Sequence, residues 1–305
     1  SDDLHHDHSV TAGYDLFINS TYGSDLPCNA RHAFYVVSFP YQIANRAPAT
    51  MKFLGDYVFL ANSQFTQGWV RKWWSRDSEV LYPSIHLPEH EVDVSEKHNE
   101  ILHVGRFFLS GHNKKQLELV EVFKRLWDAG SIPGWSLTLV GQVADEDRKY
   151  LEQVAVEATG YPISIHPNIP LEELRQMYRR AAVYWHATGL GEDPDDHPEL
   201  KEHFGITTVE AMAHGCVPVV IDGGGQPEIV ADGINGFLFR DEDKLAEATL
   251  RCIHYFNNQR TRYAELSDAA SSRAADFSRE KTKESLLRIL EEIDVVFSSS
   301  NKTLG

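Results

Sequence analysis

Between residues 101 and 221 the chain alternates short, continuous apolar runs with longer amphipathic stretches. The apolar runs cover residues 101–107, 136–140, 163–166, 183–187 and 217–221. The main amphipathic stretches cover residues 114–127, 145–159 and 171–180. Apolar strands separated by helices predict a parallel sheet with helices on both faces. This part of the chain is therefore predicted to be a doubly wound α/β domain, in which ligands bind beyond the carboxyl ends of the strands.

The first hundred residues contain three shorter strand patterns, which predict a small sheet. They cover residues 15–20, 33–39 and 57–61. An amphipathic helix is predicted over residues 64–74, with Trp69, Trp73 and Trp74 at helical spacing. Aromatic residues at that spacing usually bury themselves, so core packing is favoured over contact with a sugar or a membrane surface.

With 305 residues, of which 42% are hydrophobic and 24% charged, the chain is long enough for two domains and a sizeable core. Its formal net charge of −16 disfavours nucleic-acid binding, which depends on clustered Lys and Arg. The three cysteines are far apart, which argues against a disulfide framework and for a reducing compartment. Because no apolar run reaches the roughly 18 residues of a membrane span and no signal peptide is visible, we expect a cytoplasmic protein. Peripheral contact with the inner face of the membrane stays open.

The most informative segment covers residues 202–230. It places two carboxylates, Glu202 and Glu210, on either side of Gly205 at the predicted start of a helix. Free backbone N–H groups and the helix dipole favour an anion at such a turn. A diphosphate suits the middle of the turn, and the carboxylates can accept hydrogen bonds from sugar hydroxyls. The segment therefore predicts a nucleotide-sugar site.

The alternative is a capping box, in which Thr207 starts the helix and Glu210 only reaches back to it. From these two residues alone the capping box is favoured, because such boxes are ordinary helix starts. Three further features favour the ligand site. Glu202 precedes the turn, Gly205 has no side chain to keep a ligand away, and a second glycine cluster at residues 223–225 opens another helix.

A diphosphate also needs positive charge, and Arg106 and Lys114 are the candidates. Arg106 follows a predicted strand and Lys114 opens the next helix, so both side chains can converge at the strand ends. Arg106 can bind a phosphate bidentately, while Lys114 acts as a point charge. Each alone is more often an ordinary surface residue, but the glutamate turn on the same edge favours the phosphate role. The adjacent Lys115 stays open as a substitute for Lys114.

Together these residues resemble the donor-binding signature of retaining glycosyltransferases of the GT-B class, the large group called family 4. In that signature two glutamates are separated by seven residues, and Glu202 and Glu210 have this spacing. Further motifs fall in the family's order. They are Ala-Asn-Ser at residues 61–63, Leu-Tyr-Pro at 81–83, His-Val-Gly-Arg at 103–106 with Lys114, and Leu-Val-Gly at 139–141. Several linked motifs in one order are far more specific than any one of them.

The resemblance implies a GT-B fold of two Rossmann-like, doubly wound parallel-sheet domains, the N-terminal one reduced. Residues 1–98 would form the partial acceptor-side domain and residues 99–277 the donor-binding domain. Residues 278–305 would form a terminal helix that packs back on the first domain, after a less regular stretch. Pro88 and the polar residues after it suit a hinge. Few strands and no glycine-rich loop are visible near the start, so either the first domain is naturally small or the chain is a fragment.

The resemblance also implies a role for each site residue. Glu202, Arg106 and Lys114 form the catalytic set: Glu202 holds sugar hydroxyls near the reacting carbon, and the two cations stabilise the departing diphosphate. Glu210 accepts hydrogen bonds from the ribose. The glycine turn binds the phosphates and the ends of two strands bind the base. The residues of the turn and of the base pocket are Gly205, Ile206 and Thr207, and Gly141, Asn168 and Ile169.

The expected activity is transfer of a hexose from a nucleoside-diphosphate sugar, with UDP-glucose favoured, to a polysaccharide or lipid-linked sugar acceptor. No cofactor and no enzyme nucleophile is required. Mg²⁺ or Mn²⁺ is not favoured, although two segments contain metal-binding residue types. These are a loop with His186, Glu192, Asp193, Asp195, Asp196 and His197, and a terminal cluster with His5, His6, Asp7 and His8. Two other functions stay open: a nucleotide-sugar epimerase or phosphorylase on the same fold, and a UDP-sugar-binding module without transfer activity.

Overall fold

The computed structural model describes residues 11–24, 26–42, 55, 57–89, 91–109, 111–193 and 196–302. The chain divides into two compact units, Ser1–Pro83 with Glu280–Gly305, and Ser84–Arg279. Each unit contains a parallel sheet, so the predicted architecture of two parallel-sheet α/β domains is confirmed. Of the sequence features named above, Asp195 and the terminal histidine cluster lie outside the described residues.

The first unit holds four parallel strands. They are β1 (Leu16–Asn19), β2 (His32–Val37), β3 (Val58–Ala61) and β4 (Ser78–Val80), and they lie side by side in that order. The first three correspond to the predicted strands. The hydrophobic pattern does not predict β4, because an edge strand of three residues is too short for a periodic signal.

Helix α1 (Gln64–Trp69) begins at Ser63, whose hydroxyl accepts a hydrogen bond of 3.0 Å from a backbone N–H of the first turn. The helix continues as a π-helical turn over Val70–Trp74. Trp74 is only 2% exposed and packs edge-on against aromatic residues of the sheet, and Trp69 is also buried. Both tryptophans therefore lie in the core, as their helical spacing predicts.

The second unit holds six parallel strands. They are β5 (His98–Val104), β6 (Ser136–Gly141), β7 (Ile163–Pro167), β8 (Ala181–His186), β9 (Val217–Ile221) and β10 (Phe237–Phe239). Their order across the sheet is β10-β9-β8-β5-β6-β7. Every residue of β8 and β9 is buried, as expected for central strands covered by helices on both faces.

Seven α-helices of this unit are described. They are α2 (Gln116–Asp128), α3 (Arg148–Glu157), α4 (Leu171–Arg180), α5 (Ile206–Ala213), α6 (Gln226–Ile229), α7 (Glu242–Asn258) and α8 (Arg260–Ala275). The expectation of a less regular stretch before the terminal helix is wrong, because α7 and α8 fill that stretch. Asp241 caps α7 by accepting a hydrogen bond of 2.8 Å from the Lys244 backbone N–H. Helix α8 buries small residues such as Ala270 and Ala274, which weakens its hydrophobic signal.

The terminal helix α9 (Arg279–Lys302) belongs to the first unit from Glu280 onward. Ile289 of this helix is fully buried in an apolar cluster with Phe34 of β2 and Leu60 of β3. These contacts bury one face of the helix against the four-stranded sheet.

The order of strands in the second unit fixes the place of a ligand crevice. From β5 the chain continues to β6 and β7 on one side, and then returns to β8 on the other side. In an open parallel sheet a crevice forms beyond the carboxyl ends of the two strands where the winding reverses. Val104 ends β5 and His186 ends β8, so the residues just beyond them line this crevice.

Candidate functional site

Three polar side chains meet beyond the ends of β5 and β8. Lys114 precedes α2, His186 ends β8, and Glu202 lies in the loop before α5. Lys114 Nζ and His186 Nε2 lie 2.8 Å and 2.9 Å from the same carboxylate oxygen, Glu202 Oε2. The side chains of Lys114 and Glu202 are 13% and 14% exposed, so the ion pair is largely sheltered from water. Two of the three predicted catalytic residues are therefore in direct contact.

The surroundings of Glu202 keep it ionised. Burial alone would raise the pKa of Glu202, but the charge of Lys114 and the hydrogen bond from His186 hold that pKa well below its ordinary value. Burial lowers the pKa of His186 although Glu202 opposes the shift, so the ring is neutral at physiological pH. An ionised carboxylate has no proton to donate, and His186 Nε2 therefore bears the hydrogen of this bond.

Two further histidines lie beside Lys114. His112 Nδ1 is 3.3 Å from Lys114 Nζ, and the His112 ring stacks on His203 with centroids 4.8 Å apart. Burial lowers the pKa of each of these two histidines to about 4, so both rings are neutral at physiological pH. The positive charge that faces Glu202 at that pH is therefore the ammonium group of Lys114.

Helix α5 begins at Gly205, whose φ of 115° favours glycine. The capping box is not formed. Instead, the Tyr184 hydroxyl donates to Thr207 Oγ1 at 2.7 Å, and the Tyr178 hydroxyl donates to Glu210 Oε2 at 3.1 Å. The first backbone N–H groups of a helix have no partner within it, so those of α5 are suited to an anion.

The glycines around the turn allow close packing within the protein, whereas the sequence suggested that they leave room for a ligand. A Cβ on Gly205 would lie 2.5 Å from Gln226 Nε2, so this side of the glycine faces a side chain and not an open approach for a ligand. In the second cluster, the Gly225 N–H donates to the Glu202 carbonyl at 2.8 Å. A Cβ on Gly224 would lie 2.0 Å from that carbonyl oxygen. The second cluster therefore holds the loop that contains Glu202.

Glu210 lies in α5 in surroundings unlike those of Glu202. Burial raises its pKa, and the hydrogen bond from Tyr178 and the charge of Arg175 oppose that shift only in part. Tyr178 is 1% exposed, and its ring stacks on His214 with centroids 5.5 Å apart. Glu210 is thus fixed by a buried, neutral hydroxyl.

Arg106 extends from the loop after β5 into solvent. Its guanidinium carbon lies 4.8 Å from the centre of the Phe108 ring, and it forms no ion pair with any residue that the structure describes. Lys115, the substitute for Lys114, has a positive φ of 61° and binds Glu192 Oε1 at 2.8 Å. The two adjacent lysines therefore have different acidic partners, and Lys114 is the one beside Glu202.

The residues expected to bind the base lie at the ends of β6 and β7. A Cβ on Gly141 would lie 1.9 Å from the Gly105 carbonyl oxygen, so glycine permits the close approach of β5 and β6 here. Asn168 has a positive φ of 54°, and its Oδ1 accepts a hydrogen bond of 3.0 Å from the Val143 N–H. Ile169 next to it is partly buried. These contacts shape the rim beside the crevice.

The acidic loop is held by charge and by backbone contacts. The buried Lys201 Nζ donates to the carbonyl groups of Gly189 and Glu192 at 2.9 Å and 2.7 Å. Within the described ranges, no group of three or more His, Cys, Asp or Glu side chains is arranged to hold a metal ion. Of the residues assigned to that loop from the sequence, His186 is the last residue of β8 and binds Glu202, and Glu192 binds Lys115.

The sequence does not predict which residues contact the two glutamates. Tyr178 and Glu210 are 32 positions apart, and their contact depends on how α4 packs on α5. From the sequence, His186 is grouped with the acidic loop. It also lies at the carboxyl end of a strand, and this position could have predicted that it lines the crevice.

None of the helices that the structure describes is both long and apolar enough to span a membrane. The three cysteines, Cys28, Cys216 and Cys252, are buried and form no disulfide, as expected from their spacing.

Comparisons with known proteins give the family and the fold of the chain. The family model of glycosyl transferases group 1 matches residues 89–272, more than half of the chain. The human GDP-Man:Man(3)GlcNAc(2)-PP-Dol alpha-1,2-mannosyltransferase is 25% identical over 245 residues, which are 74% of this chain and 47% of that protein. The human alpha-1,3/1,6-mannosyltransferase ALG2 is 24% identical over 254 residues, which are 77% of this chain and 58% of that protein. The chain thus spans about half the length of these curated relatives.

Among solved structures, the Anabaena protein Alr3699/HepE in complex with UDP aligns with a TM-score of 0.72 at 18% identity. The alignment covers 93% of this chain and 80% of that chain. At that identity the match concerns the fold, and it confirms the GT-B architecture expected from the sequence.

Proposed function

The chain belongs to the glycosyl transferases group 1 family, and we propose that it is a retaining, family 4 enzyme that transfers a hexose from a nucleoside-diphosphate sugar. The main support is the contact of Lys114 and Glu202 beside the start of α5, at the winding reversal of the sheet. This arrangement places a cation, a carboxylate and free helix N–H groups at the position where open parallel sheets bind ligands.

In the proposed reaction the diphosphate is the leaving group. Breaking the bond between sugar and phosphate builds negative charge on the diphosphate, and preorganised donors that face this charge lower the barrier. Arg106, Lys114 and the backbone N–H groups of Ile206 and Thr207 are the proposed donors, with Gly205 forming the turn. The acceptor hydroxyl would attack from the face that the diphosphate leaves and would lose its proton to the departing diphosphate. This would retain the anomeric configuration without an enzyme nucleophile.

The two glutamates would bind the donor on either side of the diphosphate. Lys114 and His186 both contact Oε2 of Glu202, which leaves Oε1 to accept a hydrogen bond from a sugar hydroxyl. Glu210 would accept hydrogen bonds from the ribose. Gly141, Asn168 and Ile169 would line the base pocket.

The two units would divide the substrates between them. We assign the donor to the second unit, which contains the proposed site, and the acceptor to the first. UDP-glucose is the first donor to test, since it is favoured by the family resemblance. GDP-mannose is the second, because the name of a curated relative specifies it. The proposed acceptor is a saccharide or a lipid-linked sugar.

A thermal-shift panel of UDP, GDP, ADP and their sugars tests this proposal, because a ligand that binds the native state raises its apparent stability. We expect one of the three nucleoside diphosphates to raise the melting temperature more than the other two. Release of the sugar from the matching donor should follow. If no nucleotide stabilises the protein, the proposal fails.

Product analysis separates the alternative functions. An epimerase would convert the donor sugar without an acceptor, and a phosphorylase would need inorganic phosphate. A binding module would bind UDP in calorimetry and release no sugar, even with acceptor extracts present.

A further inference from the structure

His186 touches the proposed catalytic carboxylate, although its residue type and loop first suggest a metal ligand. We propose that His186 is the positioning residue of Glu202, and that it keeps this carboxylate in place when Lys114 engages the diphosphate. The inference rests on the proposed function and adds a residue to its site.

The need for such a residue follows from the position of Lys114. Its ammonium group lies 2.8 Å from Glu202 Oε2, yet the proposed function assigns the same group to the diphosphate. Two negative partners would then share one cation. When Lys114 moves toward the phosphate, its hold on Glu202 weakens, and the carboxylate keeps its orientation only if a second donor binds it.

His186 has the properties that this second donor requires. It is 1% exposed and ends a strand in which every residue is buried, so its ring has little freedom to move. Its Nε2–H donates to Glu202 Oε2 at 2.9 Å, the oxygen that Lys114 also contacts. Because the ring is neutral, it does not compete with Lys114 for the diphosphate.

Nδ1, the other ring nitrogen of His186, supports the proposal that this residue positions Glu202. Within the described part of the chain, Nδ1 of His186 is buried and has no hydrogen-bond partner. A buried polar atom without a partner costs free energy, so packing alone is a poor reason for histidine at this position. The bond to Glu202 supplies a reason.

Burial and the groups that face His186 together lower the pKa of its ring. Glu202 favours the charged ring, whereas burial and the ammonium group of Lys114 disfavour it. Two neighbouring histidines add no charge near neutral pH, since burial lowers the pKa of His103 to about 3 and that of His112 to about 4. The hydrogen bond to Glu202 therefore comes from a neutral ring at physiological pH.

Two substitutions separate positioning from packing. His186→Gln keeps an N–H group near the position of Nε2, and His186→Leu removes it at similar volume. We expect the Leu variant to lower kcat for sugar release by about 30-fold, as for loss of a hydrogen bond to a charged group. The Kd for UDP should stay within about twofold, because the diphosphate does not contact His186. The Gln variant should recover most of the lost rate.

The pH dependence of kcat gives a second test, because a loss of packing alone would not shift it. Removing the hydrogen bond raises the pKa of Glu202, so the acid limb of the kcat profile should move to higher pH in the Leu variant. The matched control is His103→Leu, a buried histidine on the adjacent strand that bonds the Trp185 carbonyl at 3.0 Å and not Glu202. Its acid limb should stay where the wild-type enzyme has it.

Three results would overturn the positioning role. They are equal loss of rate in the Gln and Leu variants with an intact fold, an unmoved acid limb in the Leu variant, and a loss of UDP affinity as large as the loss of rate. Nuclear magnetic resonance of ¹⁵N-labelled histidine tests the same contact without any donor. A neutral ring with hydrogen on Nε2 near pH 7 supports the proposal even if the wild-type chain releases no sugar, whereas hydrogen on Nδ1 refutes it.

Discussion

Glu202 and Glu210 have the same side chain and frame the same helix start, yet their surroundings are opposite. Glu202 contacts a cation and a neutral histidine N–H, and its pKa lies well below the ordinary value despite burial. Glu210 contacts the hydroxyl of a buried tyrosine, and burial raises its pKa. The surroundings therefore fix Glu202 as an ion, and they leave Glu210 able to gain a proton at mildly acidic pH.

This difference assigns the two carboxylates different tasks. A carboxylate that is held ionised by preorganised partners suits the reacting end of the donor, where charge changes during the reaction. A carboxylate held by one neutral hydroxyl suits ground-state binding of ribose hydroxyls. Substitutions at the two positions should therefore affect different steps.

The largest expected effect is that of Glu202→Gln on the rate. Sugar release should fall by about 100-fold to 1,000-fold, the usual cost of removing a preorganised electrostatic group from an active site. UDP affinity should change little, since the sugar and not the nucleotide contacts this residue. Initial rates and titration calorimetry measure the two quantities. If the variant loses as much UDP affinity as rate of sugar release, Glu202 and Glu210 do not have different tasks.

Lys114→Ala should weaken UDP binding by about 30-fold, because it removes a charge-assisted contact to the diphosphate. Uridine has no phosphate, so its affinity should stay almost the same. Lys115→Ala is the matched control, since Lys115 pairs with Glu192 and not with Glu202. If uridine binding suffers as much as UDP binding, Lys114 does not bind the phosphates. Arg106→Ala should show the same preference for UDP over uridine.

The two glutamates should also differ in their effect on stability. Glu202→Gln leaves Lys114 without its ionised partner and should lower the free energy of unfolding by about 2 kcal/mol at pH 7. Glu210→Gln should not lower it, because the buried site already disfavours the charge. Urea denaturation measures both variants, and a larger loss in the Glu210 variant would contradict the contrast.

The pH dependence of stability follows with opposite signs. The folded pKa of Glu202 lies below its unfolded value, so its stabilisation is present above the unfolded pKa and is lost as the pH falls through the folded pKa. The folded pKa of Glu210 lies above its unfolded value, so its contribution is present at low pH and is lost as the pH rises through the folded pKa. Urea midpoints of the two Gln variants and the wild type, measured from pH 7 to pH 3, should diverge in these two directions.

The smallest effect concerns the ribose. Glu210→Gln should weaken uridine and UDP equally, by about fivefold, because the Gln carbonyl still accepts the ribose hydrogen bond but lacks the negative charge. In the wild type, uridine affinity should fall as acidification protonates Glu210, and this pH dependence should vanish in the Gln variant. An unchanged UDP affinity would remove the ribose role.

The sequence predicts the parts of the fold that have strong periodic signals. The predicted run at residues 217–221 coincides with β9, and the stretch at residues 171–180 coincides with α4. The pattern fails at β4 and β10, which have three residues each, and at α8, whose buried face consists largely of small residues. Short edge strands and helix faces of small residues are stabilised by contacts with elements that are distant in the sequence, and a local sequence pattern does not show these contacts.

The sequence likewise predicts some residues of the candidate site but not their contacts. Motif spacing finds Glu202, Glu210 and Lys114, but it gives them no partners. The contacts from His186 and Tyr178 come from other elements, and they depend on the packing of the whole unit. The different electrostatic states of the two glutamates are therefore a property of the fold.

A crystal structure of the protein with its nucleoside diphosphate tests the central claim most directly. Phosphate oxygens should lie within hydrogen-bond distance of Arg106 and Lys114 and of the backbone N–H groups of Ile206 and Thr207. His186 should still bond Glu202. A diphosphate bound away from this turn, or a turn filled by other side chains while the nucleotide binds elsewhere, would contradict the account.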